Sequence, residues 1–203
     1  MELRELNQQD AGLIGELADL HRKAFPAFFL TQLGLSFLKT LYRGYLDDPD
    51  SGIIAAEENG KIKGFIAYSN DYPKFYRNLI RNKIIQFAWC SALAAIRHPS
   101  FVKRLLGAFG KSSSVVKDAK YVELASICTD PAMEGQGIGS ALIGFLKSIV
   151  DFSIYAYINL ETDADNNEKA NRFYLKNGFK KEREYLTAEG RKMIEYRYRQ
   201  ADL

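Results

Sequence analysis

The sequence predicts an α/β fold, a mixed sheet flanked by helices and carrying an inserted basic helical segment. Three observations predict it. Strand-like and helix-like runs alternate along most of the 203 residues. An Asn59-Gly60 pair joins two β-rich runs, the strongest short hairpin signal. Alternating glycines, Gly135, Gly137 and Gly139, lead into an apolar helix pattern. With 47% apolar and 26% charged residues, the chain has the composition of a globular protein, and disordered or collagen-like classes are excluded. Its length suits a single domain spanning 1–203, with residues 71–118 as the insertion.

Each element has a local reason. Leu3 to Leu6 read as a short first strand. Leu13, Leu17, Leu20 and Ala24 fall at helical spacing until Pro26 stops them, and Leu35, Leu38, Leu41, Tyr42 and Leu46 repeat the pattern as far as Asp47-Asp48-Pro49. GIIAAEE and KIKGFIAYS form the predicted hairpin. FYRNLIRNKIIQFAWCSALAAI and FVKRLLGAF read as two amphipathic helices broken at His98-Pro99, followed by an exit at Lys111 to Ser114. YVELASIC is a strand, GIGSALIGFLKSIV a helix and SIYAYINLE a strand. NNEKANRFYLKNG is a helix closed by Gly178, and a last hairpin turns at Glu189-Gly190.

Charge is unevenly spread. The chain is +3 overall, but residues 71–118 carry nine Lys/Arg against two Asp, a net +7, leaving −4 elsewhere. Cys90 and Cys128 lie in apolar runs, which reads as buried thiols in a reducing compartment. Two histidines, His21 and His98, are too few and too far apart for a histidine metal cluster, so no metal site is expected. The opening MELRELNQQD has no apolar core of a signal peptide. The 13 uncharged residues 84–96 fall short of the roughly 20 that span a bilayer. The expectation is a cytoplasmic protein.

The densest chemical signal is CTDPAMEGQGIGSAL, from Cys128 to Leu142. Glycines let backbone approach a ligand, and the first amides of a helix lack internal partners, so the loop suits a phosphate. A nucleotide P-loop is excluded because no Lys-Ser or Lys-Thr pair follows at its spacing. The dinucleotide fingerprint fails in both registers, ending on Ser140 or Leu142, although Glu161 stands where a ribose-binding acid would.

Taken with its surroundings, the loop resembles that of the GNAT superfamily of acyl-CoA-dependent N-acyltransferases. The family loop reads [QR]xxGx[GA]. Here Gly137 and Gly139 fit, while Glu134 departs from Gln or Arg, and that carboxylate is expected to point to solvent or to weaken binding. A second signature, Asn-xx-Ala-xxx-Tyr-xxx-Gly-Phe, is filled by Asn167, Ala170, Tyr174, Gly178 and Phe179. The likeness covers residues 1–69 in element order and 120–200 in motif. It implies a central sheet whose strands splay apart around the pantetheine arm of acetyl-CoA as co-substrate. Backbone groups of Ile127, Cys128 and Thr129 would pair with that arm. Amides of Gly135, Gln136, Gly137, Ile138, Gly139 and Ser140 would hold the pyrophosphate, and Asn167 would reach the arm.

The implied chemistry is acetyl transfer to a primary amine in a direct ternary complex. Tyr174 fills the family tyrosine position as proton donor to the leaving thiolate. Glu123 is the candidate base, since counting back from Gly137 reaches the position where the histone-acetylating branch keeps its glutamate. Strand alternation would set it on one face with Ala125 and Ile127, where burial raises a carboxyl pKa. Glu161 is the alternative base. Asp163 and Asp165 read as turn or cap residues, His21 as a helix-surface or core histidine, and Phe25, Phe28 and Phe29 as pocket lining or core. The basic segment could wall a pocket for an anionic acceptor such as a nucleotide-linked amino sugar, lie on anionic lipid through Phe87 and Trp89, or simply pack on the core or a second copy. A homodimer is compatible with its apolar faces, and nucleic acid is not expected as a partner. The alternatives to small-molecule acetylation are a protein amine as acceptor and a non-catalytic acyl-CoA-binding protein.

Overall fold

The computed structural model describes residues 1–97, 119–187 and 190–200, the side chains of 84, 85 and 88–97 excepted. In chain order these form β1 (Glu2–Glu5), a 3-10 turn (Gln8–Leu13), α1 (Ile14–Ala24), α2 (Phe29–Gln32), α3 (Leu35–Asp47), β2 (Ser51–Glu58), β3 (Lys61–Ser69), α4 (Tyr72–Arg97), β4 (Tyr121–Thr129), a 3-10 turn (Pro131–Met133), α5 (Ile138–Ile149), β5 (Tyr157–Asp163), α6 (Glu168–Lys176), β6 (Lys180–Leu186) and β7 (Lys192–Tyr198). The strands form one sheet in the order β1-β2-β3-β4-β5-β7-β6. Neighbours are antiparallel except β4 and β5. No helix among the described residues is long and apolar enough to cross a membrane.

The predicted hairpins and the helices α1, α3, α5 and α6 are all present. Asn59 and Gly60 take the positive φ angles, 52° and 71°, that a tight hairpin turn demands. The 3-10 turn before α1 and the four-residue α2 escape a periodicity reading because they are too short to show one. α4 starts where the Asp71 carboxylate accepts from the Lys74 amide at 3.0 Å, an N-cap. The predicted break at His98-Pro99 and the second basic helix lie outside the described residues, as do the side chains of Trp89 and Cys90.

Two cores flank the sheet. On one face α1, α3 and α4 bury Leu17, Phe37, Leu38, Tyr42 and Phe75 against Phe65 and Ala67. On the other, α5 and α6 bury Leu142, Leu146, Tyr174 and Phe179 against Ile66, Val122, Ile158 and Tyr196. Gly64 of β3 fixes how closely α5 sits. A Cβ there would lie 2.9 Å from Ile138 Cγ2, 3.1 Å from Leu142 Cδ1 and 3.1 Å from the Cys128 carbonyl oxygen. Gly64→Ala therefore forces α5 off the sheet and is expected to cost about 1–3 kcal/mol by urea unfolding. A loss well under 1 kcal/mol would show that the seat is looser than described.

Candidate active site

The site begins with a mismatch in β4. Ala67 faces Ser126 and Tyr68 faces Leu124, so Ala125 is an extra residue, a β-bulge. Its consequence is visible on both faces. Ala125 packs with the α1–α3 core, whereas Ile127, two residues on, packs with the α5–α6 core. Strict alternation had placed Glu123, Ala125 and Ile127 on one face, and the bulge turns Ile127 to the other. Past the bulge β4 also leaves β5. The pair share Tyr121–Tyr157, Val122–Ile158 and Glu123–Asn159, and, among the described residues, 124–129 have no strand partner on that side.

The bond from the Asp130 amide to the Lys63 carbonyl, 2.8 Å, sets which backbone groups face the opening. In an antiparallel ladder every second residue turns to the neighbouring strand. Cys128 and Ser126 therefore pair with β3, while Ile127 and Thr129 turn their N–H and C=O groups to the gap. Of the expected trio, Cys128 drops out as a backbone ligand. Its side chain lines the cleft, and burial pushes its thiol well up, which keeps it protonated.

The gap opens into a cleft of about 1220 Å³. At one end lies the glycine loop. Gly135 and Gly137 have φ of +79°, a conformation suited to glycine, and Gly137 is the residue from which α5 starts. Among the described residues, the amides of Gly135, Gly137, Ile138, Gly139 and Ser140 donate to no carbonyl or side chain, and the positive end of α5 points the same way. Gln136 differs from its expected role. It is exposed, does not line the cleft, and its amide donates to the Met133 carbonyl at 3.3 Å. At Gly139 a Cβ would sit 3.0 Å from the Phe173 ring. Glu134 is exposed and ion-paired to Lys169 on α6, which offsets its charge beside the loop. Asn167 donates to Thr162 Oγ1 at 2.7 Å and to the Asp163 carbonyl at 3.2 Å, leaving its own side-chain oxygen to accept.

Tyr174 lines the middle of the cleft from α6 and is otherwise packed against Phe173, Phe179 and Tyr196. Burial, and then Tyr196, push its hydroxyl up to about 12, so it holds its proton through the neutral range. Glu123 is 7% exposed and accepts from Asn159 Nδ2 at 2.7 Å. Glu161 also lines the cleft but is exposed and bonded by the Tyr185 hydroxyl. Asp163 is held bidentately by Arg191 at 2.7 and 2.8 Å.

The other end of the cleft is aromatic. Phe25, Phe28, Phe29, Tyr42, Tyr45, Tyr72 and Tyr76 line it, and the Tyr72 and Tyr76 hydroxyls bond each other at 2.9 Å. Burial first, then neighbouring phenols and the Glu123 charge, push Tyr45 and Tyr72 well above the ordinary phenol value. The two α4 tyrosines escape a sequence reading drawn to that segment's cations. Lys74 and Lys83 are paired with Asp50 and Asp47, Arg77 and Arg81 are exposed, and none of the four lines the cleft. Asn159 had a legible signal, a polar residue set between the apolar Ile158 and Leu160 in the first half of β5.

An open mixed sheet whose parted strands lead to a helix start lined with free amides defines a transferase that uses an acyl-CoA donor. The family model for the Acetyltransferase (GNAT) family matches residues 14–179, and the chain belongs to that family. It is an acyl-CoA-dependent N-acetyltransferase. Among solved structures, an acetyltransferase of the family from Desulfovibrio desulfuricans superposes with a TM-score of 0.61 at 16% identity, covering 98% of each chain. An aminoglycoside 6'-N-acetyltransferase complexed with coenzyme A gives 0.62 at 15% identity, over 98% of this chain and 97% of that one. Arabidopsis thaliana NAA60 with acetyl-CoA gives 0.58 at 17%, over 98% of each. At these identities the likeness is one of fold. No curated protein matches the chain by sequence.

His21 supplies a test of the aromatic end. It is 2% exposed, its Nδ1 lies 2.6 Å from the Tyr42 hydroxyl, and burial lowers its pKa to about 4. An unfolded histidine titrates near 6.5, so between pH 6.5 and 4 the unfolded chain binds a proton that the folded one refuses. Stability from this residue is fully present above pH 6.5 and falls as the pH drops toward 4, by about 3 kcal/mol. Urea unfolding at pH 6.5 and 4 should show that His21→Phe loses less over this window than the wild type. Equal losses would place the histidine elsewhere.

Proposed function

We propose that the chain moves the acetyl group of acetyl-CoA to the primary amine of a small molecule by direct attack within a ternary complex. The parting of β4 from β5 is the observation that carries this reading. Pantetheine is an extended chain with two amides, and the unpaired edge at Ile127 and Thr129 offers it the donors and acceptors of a missing strand. The amides of Gly135, Gly137, Ile138, Gly139 and Ser140 suit the pyrophosphate, and the absence of a side chain at Gly139 lets the Phe173 ring pack against the start of α5. Acetyl-CoA brings the activated acyl group. The protonated Cys128 thiol is a poor acyl carrier, which favours direct transfer over an acyl-enzyme.

The chain's own residues then handle protons. An alkyl amine with a pKa near 10.4 is almost wholly protonated at pH 7, and removing that proton costs about 4.6 kcal/mol. Glu123 takes it, directly or through water, with its carboxylate oriented by Asn159. Tyr174 directs its O–H at the departing sulfur and stabilises the thiolate until the proton released by the new amide reaches it. The acceptor end, walled by phenols of α3 and α4, suits a compact amine. The described cations of α4 give no support to a nucleotide phosphate on the acceptor, because none lines the cleft.

Steady-state kinetics on the best amine from a panel test the roles. Glu123→Gln is expected to lower kcat by about 10²- to 10⁴-fold and to remove the acidic limb of the pH–rate profile. Tyr174→Phe should lower kcat while leaving KM for acetyl-CoA within about twofold. Full kcat in the tyrosine variant, or an unchanged profile in the glutamine variant, would remove the corresponding assignment.

A further inference from the structure

We propose that His21 selects the acceptor: its Nε2–H is a hydrogen-bond donor, set in an apolar wall of the cleft, for an uncharged oxygen on the amine substrate. The inference rests on reading the cleft as the site of acetyl transfer. His21 lines that cleft yet is almost wholly buried, and among the described residues its Nε2 has no hydrogen-bond partner. Its neighbours there are rings. Phe25 stands edge-on at 5.2 Å and Phe28 lies at 6.1 Å between centroids.

The Tyr42 hydroxyl behind the ring decides which nitrogen carries the proton. Tyr42 is 1% exposed, and burial raises its pKa well above the ordinary phenol value, so it keeps its proton and needs an acceptor for it. Tyr42 then directs its own proton to Nδ1, 2.6 Å away. Nδ1 is thus the acceptor, and the neutral imidazole keeps its hydrogen on Nε2.

Buried polar groups without partners are rare, and one kept on a cleft wall is a place where a ligand supplies the missing acceptor. The flanking Phe25 and Phe28 call for an apolar body. Among the described residues no charged group is seen to act on His21, whose pKa burial alone lowers, and such a neutral donor favours a carbonyl or ether oxygen over a carboxylate. The substrate class is therefore a primary amine on an apolar body, bearing an uncharged oxygen.

Imidazole NMR on the intact ¹⁵N-histidine-labelled chain with free CoA present tests this directly, since the sequence holds only two histidines. Phenylalaninamide and leucinamide carry the oxygen, whereas 2-phenylethylamine and 3-methylbutylamine lack it. The amides should move the His21 Nε2 proton downfield, and the plain amines should not. A resonance unmoved by all four, as when water alone meets Nε2, or moved equally by all, overturns the inference whether or not transfer occurs. Acetylation of the same probes is scored separately. A His21 response without any acetylation keeps the donor role and counts against the transfer reading. In turnover, His21→Phe should cut the kcat/KM preference for amide over plain amine about tenfold, and an unchanged preference contradicts the proposal.

Discussion

Beyond Glu123, β4 is bonded to β3 on one side and, among the described residues, to no strand on the other. A buried strand edge is costly, because each unmatched N–H and C=O has given up water without gaining a partner. Here the break follows from one extra residue, Ala125, which bends and twists β4 where it would otherwise have continued beside β5. Everything that marks the site depends on that bend. It exposes the backbone of Ile127 and Thr129, leaves a path to the first amides of α5, and sets Ser126 against Tyr42.

The same bend brings together side chains that an intact sheet would keep apart. Glu123 lies near the phenols of α3 and α4 on one face, while Tyr174 belongs to the α5–α6 core on the other. Both reach one cleft because the sheet is open between them. In the proposed reaction the base is thus drawn from one layer and the hydrogen-bond donor to the leaving sulfur from the other, with the acyl group between. The donor end and the acceptor end differ in character for the same reason. The first is built of backbone amides at a helix start, suited to any phosphate, and the second of aromatic side chains that choose the amine.

Much of this was legible in the residues. Asn59-Gly60, the alternating glycines and the Asn167-to-Phe179 motif each have a local physical cause, so they fix hairpin, loop and helix without tertiary information. The bulge was not legible, since an inserted residue leaves no mark on a short apolar strand such as YVELASICT. The bulge turns Ile127 away from the face of Glu123 and Ala125, while the Cys128 backbone, which the family likeness sets on the pantetheine, pairs with β3 instead. Gln136 was assigned by its place in a motif, whereas a loop bond to Met133 uses its amide. The cations of α4 drew notice by their number, but helical spacing sets Tyr72 and Tyr76 toward the cleft and leaves the four described charges, Lys74, Arg77, Arg81 and Lys83, outside it.

Residue-resolved amide hydrogen exchange, with and without acetyl-CoA, tests the central claim most directly. In the free protein the amides of Ile127, Thr129, Ile138, Gly139 and Ser140 should exchange fast, while that of Cys128, bonded to β3, exchanges slowly. Saturating acetyl-CoA should slow the first group at least about tenfold and leave Cys128 nearly as it was. Protection confined to other parts of the chain, or none at saturation, would contradict the assignment of the β4–β5 gap as the acetyl-CoA site.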